Sequence, residues 1–331
     1  MKNKFMQLAI NEAWKYQFHT YPNPAVGATV VRNNKVLSVQ AHKTSGMPHA
    51  EVNALKSAYL TAYPNSELKQ LVSSLDIHEF LTQNHNDFFK DCEIYVTLEP
   101  CNHIGKTPAC AMLLEAISIK KVYIGTLDPN NVASGGKQRL ENSGIEVEID
   151  ICKEQTDKLL FPFIKWNKDN FVFYKMAMRE DGSVTGGYIT SKDSLTKVHE
   201  IRTKLDLMVI GGNTVRIDRP TLDSRFAQQN ISPNILIYSK SKEFDNAIPL
   251  FSVKNREVEI SDSLDKISKN NFVMIEGGYN LLNTIKEKID CLVLFISHKE
   301  NLNPKFDISS LGFKKVYSYS INDKDEIVFL F

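Results

Sequence analysis

Four residues of this chain could do chemistry together: His49, Glu51, Cys101 and Cys110. An imidazole and two thiolates are three ligands for zinc, which leaves the fourth position of a tetrahedral ion open for water. Zinc in such a site lowers the pKa of that water toward ~7, so hydroxide is accessible at neutral pH. Glu51, two residues beyond His49, is spaced to carry a proton from the water to a ring nitrogen and then to departing ammonia. His-x-Glu, then Pro-Cys, then a second Cys, with the Glu not a ligand, is the pattern of hydrolytic deamination of an aminated pyrimidine-like ring.

Singly, each piece is weak. A lone His-Ala-Glu is common, and a purely structural zinc would need a fourth ligand, for which His103 or His42 can be offered. The combination carries the weight: HAE, then TLEPC, then a downstream Cys, each at the start of a helix after a strand-like run. Nucleoside and nucleic-acid deaminases usually close the site with Cys-x-x-Cys. Here the eight residues NHIGKTPA separate Cys101 from Cys110. That inserted loop is polar and can reach a substrate group over the metal.

The elements that must hold these residues follow from periodicity. Phe5, Leu8, Ala9, Ala13 and Tyr16 fall near helical spacing, and AVGATVV–RNNK–VLSVQAH reads as a hairpin. HAEVNALKSAYL and CAMLLEAISI are helical, whereas IYVTL and VYIGTL suit buried strands. Residues 1–150 therefore form one α/β domain. A second, 151–331, begins with a connecting helix in KEQTDKLLFPFIKW. It continues through the strands FVFYKMAM, LDLMVIGG, NILIY, FVMIEGG and CLVLFIS, with helices such as DSLTKVHEIRTK between several of them.

Bulk properties bound the partners. The first 150 residues hold 14 Lys+Arg against 15 Asp+Glu, and the net charge of the chain is +1. Neither half carries the basic excess of a protein gripping a phosphate backbone, which argues against a nucleic-acid-editing deaminase. The five cysteines, odd in number and scattered, do not form a disulfide framework. No apolar run approaches the ~18–20 residues of a membrane span, and MKNKFMQLAINEAWKYQF lacks the apolar core of an export signal. The expectation is a cytoplasmic protein with no membrane or nucleic-acid partner.

YPNPAVGATVV, HAEVNAL, YVTLEPCNHIGKTPAC and IGTLDPN in the first half, with KMAMREDGSVT, IRTKLDLMVIGGNTVRIDRPTL and IEGG in the second, resemble the bifunctional deaminase/reductase family of riboflavin biosynthesis. The resemblance runs over nearly the whole chain. It implies a cytidine-deaminase-like three-layer α/β/α domain followed by a dihydrofolate-reductase-like α/β domain, with Zn2+ and NADPH as cofactors. It also implies a phosphoribosylamino-pyrimidine substrate and a homo-oligomer, dimer or tetramer. By the same resemblance Asn23 and His42 line the pyrimidine pocket, and His103, Lys106 and Thr107 hold the substrate. Ala177, Tyr188, Thr214, Asp218, Gly277 and Gly278 meet NADPH, while Arg202, Leu222, Arg225 and Glu276 bind the reductase substrate. The Gly277-Gly278 turn precedes the helical YNLLNTIKEK, where backbone N–H groups suit a cofactor phosphate.

Some positions depart from the family. Lys106 stands where the family usually has Arg, losing the bidentate fork toward phosphate. Tyr188 replaces a Trp near NADPH, after a shortened loop, and DPNN replaces DPNP. The polar stretch from Pro64 to Lys90 is an addition, read as a surface helical excursion. Alternatives stay open at this point: a deaminase whose second domain only binds ligand, or a nucleotide sensor with a structural zinc.

Overall fold

The structure, a computed structural model, describes residues 1–103, 105, 107–130, 133–229, 231–298 and 306–331. The hairpin forms as β1 (Gly27–Arg32) and β2 (Lys35–Ala41), antiparallel, turned by Asn33 and Asn34 with φ of 49° and 62°. Consecutive left-handed residues match the twist of a two-residue hairpin loop, and Asn tolerates them. Before it runs α1 (Lys2–Trp14), which buries Phe5, Met6, Ala9, Ile10, Ala13 and Trp14. After it come α2 (Ala50–Ala62), α3 (Ser74–Asn84), β3 (Cys92–Leu98), α4 (Cys110–Ala116), β4 (Lys121–Thr126), α5 (Gly136–Asn142) and β5 (Glu146–Glu148). The sheet order is β2-β1-β3-β4-β5, with β1 antiparallel to its neighbours and β3, β4 and β5 parallel.

Strand side chains alternate between faces, and both faces of this sheet are covered. Ile94, Val96, Val122 and Ile124 pack with Val52 and Leu55 of α2 and with Leu113 and Leu114 of α4. Tyr95 and Tyr123, on the other face, stack at 4.2 Å beside Phe5 of α1. The result is the three-layer α/β/α arrangement. The Pro64–Lys90 stretch is helical at α3 and largely exposed, but it is more than a surface excursion: Ile77, Leu81 and Phe89 are fully buried in the α2–α4 layer. Ile77 and Leu81 lie four apart on α3, an apolar stripe too narrow to stand out in a polar segment.

The connecting helix is α6 (Lys153–Lys168). Thr156 Oγ1 bonds Thr126 Oγ1 at 2.7 Å, and Gln17 Nε2 donates to the Leu159 carbonyl at 2.7 Å, tying its first turns to the end of β4 and to the segment after α1. One compact unit spans Met1–Ile164 and a second spans Lys165–Phe331.

The second unit contains β6 (Phe171–Arg179), α7 (Lys192–Arg202), β7 (Leu207–Gly211), α8 (Gly212–Asp218), β8 (Asn234–Tyr238), β9 (Val258–Ser261), β10 (Phe272–Glu276), α9 (Tyr279–Ile285), β11 (Cys291–Ser297), β12 (Lys315–Ser320) and β13 (Asp325–Leu330). Its eight strands follow the order β12-β13-β11-β6-β10-β7-β8-β9. From β11 to β9 the neighbours are parallel, and β13 and β12 extend one edge antiparallel. Val172, Tyr174, Met176 and Met178 of β6 point into the core with Val273, Ile275, Leu292 and Leu294. The intervening residues, Lys175 and Ala177 among them, face the other way. Among the described residues, no helix is long and apolar enough to cross a membrane.

Candidate active sites

His49 is the residue immediately before α2, extended at φ −68° and ψ 167°, so its side chain projects from the helix start. Cys101 follows β3, and Cys110 opens α4. Two helix starts and one strand end thus converge. His49 Nδ1 lies 3.6 Å from Cys101 Sγ and 3.4 Å from Cys110 Sγ, and the three ligand atoms all fall within 4.8 Å of one another. Zinc bonds of ~2.3 Å to sulfur and ~2.0–2.1 Å to nitrogen, at a tetrahedral angle, separate N from S by about 3.5 Å. The donor set fits zinc in kind and in spacing.

The protons of the cluster are arranged for a cation. The Cys110 thiol, by hydrogen bonding, holds Cys101 well below the usual thiol range, and Cys110 is raised in return. One proton leaves the pair readily; the second leaves when a positive charge joins the two sulfurs. The Cys110 backbone N–H, 3.3 Å from Cys101 Sγ, also favours the thiolate. Burial pushes the His49 imidazole down, but the neighbouring Cys101 and Glu51 outweigh it and the net shift is upward. Glu51 is buried in the first turn of α2, and burial raises its carboxyl to about 7 against the opposing charge of His49.

Around this centre the structure gathers some of the expected pocket residues. His42 Nδ1 faces the Pro48 carbonyl at 3.1 Å, which selects the Nδ1–H tautomer. Its Nε2 then accepts from Asn23 Nδ2 at 3.2 Å. Burial, then the charge of His49, lowers His42 to about 4, so it is uncharged at neutral pH. The His42 and His49 rings meet edge to face at 5.3 Å. Thr107 Oγ1 sits 3.4 Å from His49 Nε2, on the side of the ring away from the sulfurs. His103 is exposed, and Lys106 lies outside the described residues.

One group at this site escaped the sequence reading. Glu99, buried beside Pro100, accepts from the backbone N–H groups of Asp128 (3.1 Å), Gly135 (3.1 Å) and Lys137 (2.9 Å). It ties the loop after β4 to the turn that carries Cys101. Gly136 completes the junction: a Cβ there would stand 1.8 Å from the Pro100 carbonyl oxygen. The signal was present, an acid inside an apolar run, but it was absorbed into the cysteine motif.

The second unit has a different kind of site. Glu276, at the end of β10, takes Lys175 Nζ on one oxygen at 2.7 Å and Arg202 Nη2 on the other at 3.1 Å. Burial pushes the Glu276 carboxyl up, but the two cations overcome it and hold it at about 2. Arg202 also donates to the Asp223 carbonyl at 3.1 Å, and the Asp223 carboxylate pairs with Arg225 at 2.8 Å. Leu222, immediately before Asp223, is buried and left-handed at φ 53°. Arg202, Leu222, Arg225 and Glu276 therefore form one connected patch. Lys175 was passed over in sequence although a lone cation in FVFYKMAM was its signal; Ala177 lies two residues along on the same face.

The residues expected at the cofactor are more spread out. The Tyr174 hydroxyl donates to the Gly278 carbonyl at 2.9 Å, fixing the Gly277-Gly278 turn at the start of α9. A Cβ on Gly277 would come within 2.8 Å of both that hydroxyl oxygen and Leu281. Thr214 lies in α8, and the Asp218 carboxyl at its end is raised by burial and then by the charge of Glu276, which puts it within electrostatic reach of the patch. Tyr188 is 84% exposed, so packing within the chain does not hold it.

Comparison with known proteins agrees with this geometry. The cytidine and deoxycytidylate deaminase zinc-binding region matches residues 1–126, and the RibD C-terminal domain matches residues 170–297. Riboflavin biosynthesis protein RibD of Aquifex aeolicus is 33% identical over 300 residues, which is 86% of this chain and 76% of that one. The protein of the same name from Bacillus amyloliquefaciens is 33% identical over 233 residues, 68% of this chain and 56% of its own. Among crystal structures, a diaminohydroxyphosphoribosylaminopyrimidine deaminase/5-amino-6-(5-phosphoribosylamino)uracil reductase from Thermotoga maritima matches with a TM-score of 0.62 at 28% identity. That match covers 99% of this chain and 98% of the other.

Proposed function

The chain belongs to the RibD family of riboflavin-biosynthesis deaminase/reductases, and from that premise we propose which residues carry each half of its work. The protein is a bifunctional enzyme that uses zinc and NADPH. Residues 1–150 hydrolyse an amino group from 2,5-diamino-6-hydroxy-4-(5-phosphoribosylamino)pyrimidine, and residues 151–331 reduce the ribosyl chain of the product to the ribityl form.

In the first site His49, Cys101 and Cys110 hold zinc, which supplies Lewis-acid activation of water. Glu51 moves the protons: its buried carboxylate takes one from water and gives it to the ring nitrogen, then takes a second from the hydroxyl added to the ring carbon and gives it to the leaving amine. Neutral His42, locked in one tautomer, orients Asn23 against the pyrimidine. His103, Lys106 and Thr107 hold the remainder of the substrate.

In the second site NADPH supplies hydride to the opened ribose carbon. Ala177, Tyr188, Thr214, Asp218, Gly277 and Gly278 seat it, and Arg202, Leu222, Arg225 and Glu276 seat the substrate. Lys175, paired with Glu276 at 2.7 Å, completes the charged patch beside them. Cysteines that bind zinc or stay outside disulfides suit a reducing compartment, and we place the enzyme in the cytoplasm as a homo-oligomer.

The observation that carries this reading is the 3.4–3.6 Å convergence of His49 Nδ1 on two cysteine sulfurs, with a buried Glu51 beside it. The test is ammonia release from the diaminopyrimidine without NADPH, followed by NADPH oxidation when the deaminated compound is supplied. Both should proceed. Ammonia release from enzyme freed of zinc would contradict the first assignment, and no NADPH oxidation by folded enzyme would contradict the second.

A further inference from the structure

Between α8 and β8 the chain takes a backbone path that its own residues do not favour. Arg219 at φ 43° and Leu222 at φ 53° are both left-handed, and neither is glycine. L side chains enter this region at a steric cost, so the surroundings must impose it. Arg219 caps α8, its N–H on the Val215 carbonyl; at Leu222 one side chain does so. Arg256, just before β9, donates through Nη1 to the Leu222 carbonyl at 2.5 Å and through Nη2 to the Thr221 carbonyl at 2.8 Å. The same Nη2 reaches the Leu250 carbonyl at 2.6 Å.

This guanidinium is spent on main-chain oxygens. The Asp223 carboxylate acts on it by charge, and its enclosed Nε has no hydrogen-bond partner among the described residues. Burial lowers its pKa to about 10, which leaves it cationic at neutral pH. A planar fork spanning three carbonyls is a geometry that a lysine ammonium cannot reproduce. Arg202 of α7 holds the Asp223 carbonyl at 3.1 Å, and the Phe226 N–H donates to His199 Nδ1 at 3.4 Å. The Thr221–Phe226 turn is therefore held by α7 at Asp223 and Phe226 and by Arg256 at Thr221 and Leu222.

We propose that Arg256 is a positioning residue of the reductase: it holds the Thr221–Arg225 turn so that Leu222 and Arg225 meet the substrate, and it touches no reactant itself. The inference rests on Leu222 and Arg225 being substrate residues. Its consequence is selective. Loosening the turn weakens binding of the pyrimidine and leaves the hydride step and the cofactor site largely as they were.

The experiment is steady-state reduction of the deaminated pyrimidine by the full chain, with Arg256→Ala, Arg256→Lys and Arg225→Ala, and with deaminase turnover measured on each preparation. Arg256→Ala should raise KM for the pyrimidine about tenfold or more, with kcat, KM for NADPH and deaminase turnover within about twofold. Arg256→Lys should keep at least about a threefold rise, because one ammonium cannot span the carbonyls, and this variant decides the matter if the alanine form does not fold. KM for the pyrimidine within about twofold of wild type, with Arg225→Ala impaired, overturns the proposal and leaves the substrate site standing. KM for pyrimidine and NADPH rising together overturns it in favour of general destabilisation. A silent Arg225→Ala overturns the substrate-site reading, and the proposal with it.

Discussion

The zinc site and the Glu276 patch are built by opposite means. At the first, His49 and Cys110 stand at two helix starts, and Cys101 follows a strand, so backbone geometry places the donors and little side-chain choice remains. At the second, Lys175, Arg202 and Glu276 come from β6, α7 and β10 and hold one another by charge. A site made by backbone tolerates the loss of one side chain structurally but not chemically. A site made of mutual charge loses its structure when one member goes, because the remaining buried charges are uncompensated.

The largest expected effect is at Glu51. Glu51→Ala should cut deaminase kcat by ~10²–10⁴-fold, the range for a positioned acid–base group, while zinc content and reductase activity persist. Loss of zinc in that variant would show that Glu51 holds the site together, which would erase the contrast. Next comes Glu276→Ala, which leaves Lys175 and Arg202 facing each other. It should destabilise the second unit by about 3–5 kcal/mol in denaturant unfolding and abolish reduction, with deaminase turnover intact. A stability change below about 1 kcal/mol would mean that solvent already screens the patch.

The same pair of cations gives a pH signature. Glu276 is depressed from 4.5 to about 2 in the folded state, so its stabilising contribution is complete above about pH 4.5 and is lost as pH falls toward 2. In a Trp14→Phe background, the fluorescence of Trp166, which packs on Phe171 and Phe272, reports this unit. Glu276→Gln should flatten its stability between those pH values; an unchanged slope would assign the acid sensitivity elsewhere. The smallest effect is at Tyr188, whose exposure predicts that Tyr188→Ala shifts stability by less than about 0.5 kcal/mol. A larger loss would show that the ring is held by something outside the chain.

This difference in construction also governs what could be read in advance. The α/β elements and the three zinc donors were legible because short motifs sit at element boundaries, where periodicity changes. His42 and Asn23 were expected at the pocket through family resemblance, but their mutual hydrogen bond and the tautomer set by Pro48 depend on a turn that no pattern encodes. In the second unit Lys175 and Glu276 are 101 residues apart, and each alone reads as an ordinary strand residue. Arg202 likewise reads as a solvated helix residue until Glu276 and the Asp223 carbonyl are placed against it. The Pro64–Lys90 insertion misled because its two core anchors on α3 are outnumbered by polar neighbours, which hides the stripe that buries it.

The central claim is that one chain performs two steps in a fixed order, deamination at zinc and then reduction at the Glu276 patch. Its most direct test is mass spectrometric identification of products from the diaminopyrimidine phosphoribosyl substrate, using zinc-loaded enzyme with and without NADPH. The account predicts the deaminated ribosyl compound without NADPH and the deaminated ribityl compound with it. A ribityl compound that still carries the amino group, or a deaminated ribosyl compound that persists despite NADPH, would contradict it.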